Sequence, residues 1–260
     1  MNVYVQSTDG IYPYNENGYK AWLGFHEMGI DPIIFTSIED LKDANPEDIV
    51  VGGIGMIQKH LERFGIHTEN VDYPAQLEKY LGRKVWKTTA DEVSHDPDLW
   101  PVFLKPVEDK RFVGKVIRST KDLIGCGTWG ELTPAIASEP VNFLREYRVF
   151  VRYGKILDIR AYKGDLSVHY DYSVIKAAVD EFSDGYAAFS LDFGVTDDGR
   201  TLLVEMNDGY SLGNYGLEYH LYTKLLSARW AELTGTDDYC DFELERFEWK
   251  EKQTPIRSLV

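Results

Sequence analysis

Over roughly the first 75 residues, short apolar runs alternate with stretches of helical periodicity. Residues 2–6, around Val3-Tyr4-Val5, read as a strand, and a Gly/Tyr/Asn loop leads from it to a helix near residues 17–28 that Gly29 can cap. Pro32-Ile33-Ile34-Phe35 and Asp48-Ile49-Val50-Val51 give two further strands, the second running into Gly52-Gly53-Ile54-Gly55. Ile54, Ile57, Leu61 and Phe64 recur at helical spacing, and Gly65 ends that helix. Strands alternating with helices predict a small α/β unit with a parallel sheet.

The pattern then changes to paired strands. Val102-Phe103-Leu104-Lys105, between Pro101 and Pro106, is a short apolar strand ending in a lysine, and Val113 to Arg118 is another. Tyr147 to Val151 and Ile156 to Ala161 make a hairpin around Tyr153-Gly154-Lys155, while Leu217, Leu221 and Leu225 mark a helix before Gly235. Strand pairs with one or two helices per lobe predict α+β architecture. Residues 251–260 read as a polar tail, and no internal repeat is visible.

One hairpin combines this pattern with chemistry. Asp192-Phe193-Gly194-Val195, an Asp-Asp-Gly turn and Leu203-Val204-Glu205-Met206-Asn207-Asp208 follow one another. A loop of Thr196-Asp197-Asp198-Gly199 closed by a glycine bulge pairs Val195 with Arg200 and sets Asp192 opposite Leu203. The period of two then puts Asp192, Glu205 and Asn207 on one face. Two carboxylates and an amide are hard oxygen donors, suited to Mg²⁺ that also binds substrate phosphates. A slip of one residue would turn Asp192 to the other face.

Composition narrows the options. A chain of 260 residues buries a full core as one large or two small domains. A net charge of −15 argues against a nucleic-acid partner, yet leaves room for a local Lys/Arg cluster around a nucleotide. Cys126 and Cys240 give neither a disulfide framework nor a zinc pattern. With no signal peptide or long apolar run, a cytoplasmic protein without membrane contact is expected.

Taken singly, the charged features are ambiguous. Lys105 ends an apolar strand, where its ammonium needs water or an anion, although a snorkelling edge lysine does the same. The turn from Glu108 to Lys115 could fold over phosphates or be an ordinary charged tip. Glu146 and Arg148 share a strand face, and a three-residue turn makes Arg160 the direct neighbour of Arg148. Two guanidinium groups side by side call for an anion, whereas Glu146 paired with one of them is the plainer reading. Gly125-Cys126-Gly127-Thr128-Trp129-Gly130 matches a dinucleotide fingerprint in letters only, since no clear strand precedes it and Pro134 interrupts any following helix. Cys126 reads as structural and His169 as an ordinary strand residue. The Gly52–Gly55 turn is either a tight turn or a place where helix amides receive an anion from an acceptor substrate.

The order of these pieces is more specific than any one of them. A strand ending Lys-Pro, a Glu-x-x hinge from Glu139 to Val141, Glu146-Tyr147-Arg148, then Asp192 followed by Glu205 and Asn207 resembles the ATP-grasp superfamily over about residues 85 to 230. The Glu-Tyr-Arg and Asn-Asp-Gly-Tyr-Ser-Leu-Gly stretches are similar to the clade named for two arginines and a lysine. The resemblance implies an α/β pre-ATP-grasp unit over 1–84 and a two-lobed α+β ATP-grasp fold over 85–250, with lobes near 85–140 and 141–250. It also implies an ATP- and Mg²⁺-dependent ligase that joins a carboxylate to an amine through an acyl-phosphate, with one ion or two. A phosphotransferase on the same fold and a non-catalytic ATP-binding module are the alternatives. By the same resemblance Lys105, with Lys87 and Lys115, holds phosphates, and Glu139, Val141 and Glu146 hold the nucleoside. Asp192, Glu205 and Asn207 are then the metal ligands, and Arg148 and Arg160 meet the γ-phosphate or the substrate carboxylate. Lys110 joins Lys115 as a phosphate contact in a loop with a single glycine, Gly114.

Overall fold

Three sheets with separate strand orders organise the chain in a computed structural model that describes residues 1–69, 72–107, 111–127 and 132–242. The first is parallel, β1 (Val3–Gln6) lying between β2 (Ile33–Phe35) and β3 (Ile49–Val51). Helices α1 (Glu16–Glu27) and α2 (Ile54–Glu62) complete the α/β unit that periodicity predicts. Helix α1 begins where the Asn15 side chain accepts the Gly18 N–H at 2.9 Å.

The second sheet is antiparallel, built from β4 (Val85–Thr89), β5 (Val102–Pro106), β6 (Lys115–Ile117) and β7 (Pro134–Ser138) in the order β4-β7-β5-β6. A capping box between Thr89 and Glu92 starts its short helix α3 (Ala90–His95). The third sheet comprises β8 (Phe143–Arg152), β9 (Lys155–Gly164), β10 (Ala188–Thr196) and β11 (Thr201–Asp208), ordered β11-β10-β8-β9. Helices α4 (Tyr172–Glu181) and α5 (Tyr219–Thr234) pack on it, and Gly235 ends α5 with φ 66°. Nothing in the sequence reading anticipates α4.

Alternation along the third sheet separates packing from chemistry. Val149, Val151, Phe189, Leu191, Phe193, Leu203 and Met206 join one cluster with Ile175, Ala178 and Val179 of α4. The opposite face carries Arg148, Ser190 and Asp192, with Phe150 and Ala188 packing toward α5. Helix α5 is buried nearly all round because the parallel unit covers its other side. Gly24 of α1 allows that approach, since a Cβ there would lie 2.0 Å from Thr223 Oγ1. The N-terminal unit and the third sheet therefore share one core.

Both key hairpins turn more tightly than expected. In β10–β11 Thr196 donates to the Arg200 carbonyl, Gly199 sits at φ 82°, and Val195 pairs with Thr201 rather than Arg200. Continued regularly, that register would set Asp192 opposite Val204 and turn it away from Glu205. A bulge at Val204 restores the face, so Asp192 pairs with Glu205 instead of Leu203. Arg83 donates to the Leu203 and Val204 carbonyls at 2.7 and 2.9 Å, satisfying the irregular edge. In β8–β9 the turn has two residues, Tyr153 (φ 48°) and Gly154 (φ 68°), and a second bulge at Leu157 restores the pairing of Arg148 with Arg160.

Candidate nucleotide and metal site

The pairing lines up four charged residues in one row across the third sheet: Glu205, Asp192, Arg148 and Arg160 on β11, β10, β8 and β9. Arg148 grips Asp192 from Nε and Nη2 at 2.8 and 2.7 Å, with both residues buried. Burial works against the guanidinium charge, but the hydrogen bonds and charge of Asp192 raise its pKa overall. Arg160 points elsewhere, onto Asp158 at 2.6–2.7 Å, and is 42% exposed. The like-charged neighbours thus avoid repulsion through separate carboxylates. Asn207 completes the face, its amide nitrogen 3.4 Å from Asp192 Oδ2.

Lys105 reaches this row from the second sheet. Its ammonium lies 2.8 Å from Glu205 Oε2 and 2.9 Å from Asp72 Oδ2, and 4.9 Å from the centre of the Tyr73 ring. Burial lowers the Lys105 pKa, but Glu205, Tyr73 and Asp72 more than reverse this and raise it, so the side chain stays cationic. Lys87 and Lys105 occupy one cross-strand row of that sheet, on either side of Ile136. Lys87 is exposed and lines a neighbouring cavity with Arg83 and Glu78.

Two cavities meet at Glu205. One, of about 390 Å³, is lined by Lys105, Arg148, Glu205, Asn207, Asp208 and Ile54 at the start of α2. The other, of about 600 Å³, lies between the second and third sheets and is lined by Lys115, Glu139, Val141, Phe143, Glu146 and Tyr162. Phe143 fits because Gly194 has no Cβ, which would come within 2.1 Å of its ring. Glu139 is tied to Lys84 twice, its side chain accepting the Lys84 N–H at 2.9 Å and its own N–H donating to the Lys84 carbonyl at 3.1 Å, and Val141 follows along the hinge. Lys115 donates to the Ile124 carbonyl at 2.9 Å. Glu146, 8% exposed, accepts from Tyr162 Oη at 2.9 Å and Lys163 Nζ at 2.5 Å. Burial pushes the Tyr162 phenol up, and the charges of Asp192 and Glu146 add to the effect. Lys110 lies outside the described residues.

The donor set suits Mg²⁺. Asp192, Glu205 and Asn207 offer hard oxygens on one face, and two cationic groups already sit against the carboxylates at 2.7–2.8 Å. Asp192 Oδ1, which accepts only from Arg148 Nε, and the Glu205 carboxylate keep lone pairs for an ion, whereas Asp192 Oδ2 already faces Arg148, Asn207 and Tyr162. No group of three or more His, Cys, Asp or Glu among the described residues is arranged to hold a metal ion by itself, so such an ion would complete its shell from phosphate and water oxygens.

The remaining motifs have plainer roles. Gly53 N–H donates to Gln6 Oε1 at 2.8 Å and Ser211 Oγ to the Gly52 carbonyl at 2.7 Å, tying the Gly52–Gly55 turn to β1 and to the loop after β11. Cys126 is buried, its thiol facing the Asp122 carbonyl. Thr128 to Gly130 of the glycine motif fall outside the described residues. No helix among the described residues is long and apolar enough to cross a membrane.

Sequence reasoning missed Asp72, Tyr73, Arg83, Tyr162 and the Asp208–Arg229 pair, which is held by two hydrogen bonds of 2.6 and 2.7 Å. Pro74 after Asp72-Tyr73 signalled an extended segment, but no periodicity assigned it a place. The Met206 N–H donates to the Asp72 carbonyl at 2.8 Å, so the segment runs along the β11 edge.

Known proteins share this fold. The N5-carboxyaminoimidazole synthetase of Staphylococcus aureus superposes with a TM-score of 0.58 at 11% identity, covering 91% of this chain and 77% of that one. A D-alanine–D-alanine ligase from Bacillus anthracis gives 0.54 at 14%, over 90% and 98%. The ATP-grasp ligase PsnB, solved with a minimal precursor, gives 0.52 at 14%, over 88% and 98%. At such identities these likenesses concern the fold. No curated protein sequence matches the chain. Residues 80–225, more than half of the chain, match the ATP-grasp domain of the clade named for two arginines and a lysine, in its second family, and the protein belongs to that family.

Proposed function

We propose that the protein is an ATP- and Mg²⁺-dependent ligase that joins a carboxylate to an amine through an acyl-phosphate. The observation that carries this reading is the meeting of Lys105 from one sheet with Glu205 from the other at 2.8 Å, where the two cavities join. An ATP molecule along both cavities would place its adenosine near Val141 and Glu146 and its phosphates at Lys105. Relatives in fold support the ligands: the Bacillus anthracis ligase has been solved with ATP, and PsnB with Mg and ADP.

In this reading Lys105 exchanges Asp72 and Glu205 for phosphate oxygens and neutralises charge that builds during transfer. Glu139 and Val141 present hinge backbone to the base, and Glu146 receives the ribose hydroxyls. Asp192, Glu205 and Asn207 hold Mg²⁺, which when bound screens the phosphate charge and orients the γ-phosphoryl group. Arg148 fixes Asp192 and lines the phosphate cavity, whereas Arg160, held by Asp158, and Lys87, on the neighbouring cavity, would have to turn toward the phosphates to serve them. A substrate carboxylate attacks the γ-phosphorus, ADP leaves, and an amine displaces phosphate from the acyl carbon. No side-chain nucleophile is needed.

The test is an ADP-release screen with pooled amino acids and peptides as carboxylate and amine donors, followed by mass spectrometry of the product. An amide product accompanied by ADP and phosphate supports the ligase. A phosphorylated product establishes a phosphotransferase instead, and ATP binding without turnover in any mixture leaves a binding module.

A further inference from the structure

Glu146 of β8 faces two residues of β9. Between the pairs Tyr147–Ala161 and Glu146–Lys163 the ladder skips Tyr162, so Tyr162 and Lys163 both stand against Glu146. Each puts a donor on a different carboxylate oxygen: Tyr162 Oη on Oε2 at 2.9 Å and Lys163 Nζ on Oε1 at 2.5 Å. A carboxylate only accepts, so the phenol is the donor.

The two donors differ in order. The Lys163 side chain is 68% exposed, and its pairing is shared with water. Tyr162 is fixed from several sides. Its ring stacks on Tyr215 at 4.8 Å and 21°, and Tyr215 in turn lies 4.5 Å from the Arg148 guanidinium. Its hydroxyl is also 3.5 Å from Asp192 Oδ2, standing between the carboxylate at the nucleoside end and the one in the metal row.

We propose that Tyr162 is a positioning residue that aims Glu146 at the ribose hydroxyls of ATP. This rests on the reading of Glu146 as the ribose-binding carboxylate. The bulge in β9 is the device: a regular ladder from Tyr147–Ala161 would set Tyr162 alone opposite Glu146, and the extra residue brings Lys163 there as well, so that both carboxylate oxygens are held and Tyr162 is the rigid donor of the two. With Oε2 held, the carboxylate keeps one orientation and presents its free lone pairs to the nucleoside cavity. Tyr162 acts only through Glu146 and touches no reacting atom.

The test compares binding of ATP and 2′,3′-dideoxy-ATP, each with Mg²⁺, by titration calorimetry on the full chain. Wild-type protein should prefer ATP. Tyr162→Phe keeps the stacked ring and should raise the Kd for ATP about tenfold, as expected for one lost hydrogen bond to a charged group, while leaving the dideoxy nucleotide unchanged. Glu146→Gln should lose the same preference, and the double variant should lose no more than Glu146→Gln alone. Equal weakening of both nucleotides by Tyr162→Phe, or no change in either, overturns the role of Tyr162. Wild-type protein that binds both nucleotides equally removes the ribose contact and overturns the reading of Glu146. Wild-type protein that binds neither overturns the ATP site itself.

Discussion

Arg148 and Lys105 are both cations expected to meet phosphate, yet the fold treats them differently. Arg148 and Asp192 belong to one sheet, are direct cross-strand partners, and are 6% and 2% exposed. Lys105 belongs to a different sheet from Glu205, and its second partner, Asp72, lies in neither. One pair is a fixed part of the lobe; the other is a contact across a cleft, which in the proposed function gives way to phosphate. A cation locked in its own sheet organises its neighbours, and under the proposed function a cation held between sheets is the one that serves the ligand.

The largest effect should come from breaking the locked pair. Arg148→Met leaves Asp192 buried without its partner and should lower unfolding free energy by about 3–5 kcal/mol in urea titrations. Adding Asp192→Leu should recover most of that stability and none of the activity. Stability left intact by the single variant would break the contrast. Next comes the bridging pair, where Lys105→Met or Glu205→Ala should cut ADP release at least about 100-fold while moving the urea midpoint far less than Arg148→Met does. An active Lys105→Met enzyme would remove Lys105 from the phosphate site.

A smaller effect probes the cavity wall. Gly194→Ala drives a methyl group into Phe143, which should cost about 2 kcal/mol and weaken ATP binding as the ring shifts into the 600 Å³ cavity. An unchanged Kd would show that Phe143 relaxes away from the nucleotide.

The smallest effect concerns a buried imidazole whose Nδ1 lies 3.4 Å from the Arg63 guanidinium. His60 of α2 is fully buried and stacks on Trp230, and its Nε2 has no hydrogen-bond partner among the described residues. Burial, aided by Arg63, lowers its pKa from 6.5 to about 4. The unfolded chain therefore binds the extra proton first, so stability is full above pH 6.5 and falls as the pH drops toward 4. Between pH 7 and 5.5 the loss should be about 1 kcal/mol in urea melts, and His60→Gln should abolish it. An undiminished slope in that variant would trace the acid sensitivity to the ion pairs instead.

Much was legible in the chain itself. The parallel unit could be read because its apolar residues repeat at two separable periods, and the hairpin of Asp192, Glu205 and Asn207 because an Asp-Asp-Gly turn separates two strand-like runs. Its register was not legible. Expecting a looser turn, sequence reasoning brought the three residues to one face by a route the protein does not use, and the bulge at Val204 achieves it instead. The pairing of Arg148 with Arg160 was reached in the same way, with the bulge at Leu157 replacing a third turn residue.

What the sequence determined is local: which segments extend or coil, which residues can bind a hard cation or a phosphate, and in what order they come. What only the tertiary structure decided is long-range. Bulges depend on whether the neighbouring carbonyls find a donor, and the one at Val204 finds it in Arg83, far away in the chain. Lys105 meets Asp72 and Glu205, and Tyr162 meets Glu146 and Asp192, only once separate sheets are packed and strands slipped into register. No period or spacing in a single chain encodes such contacts, because their energy exists only when distant groups lose water together.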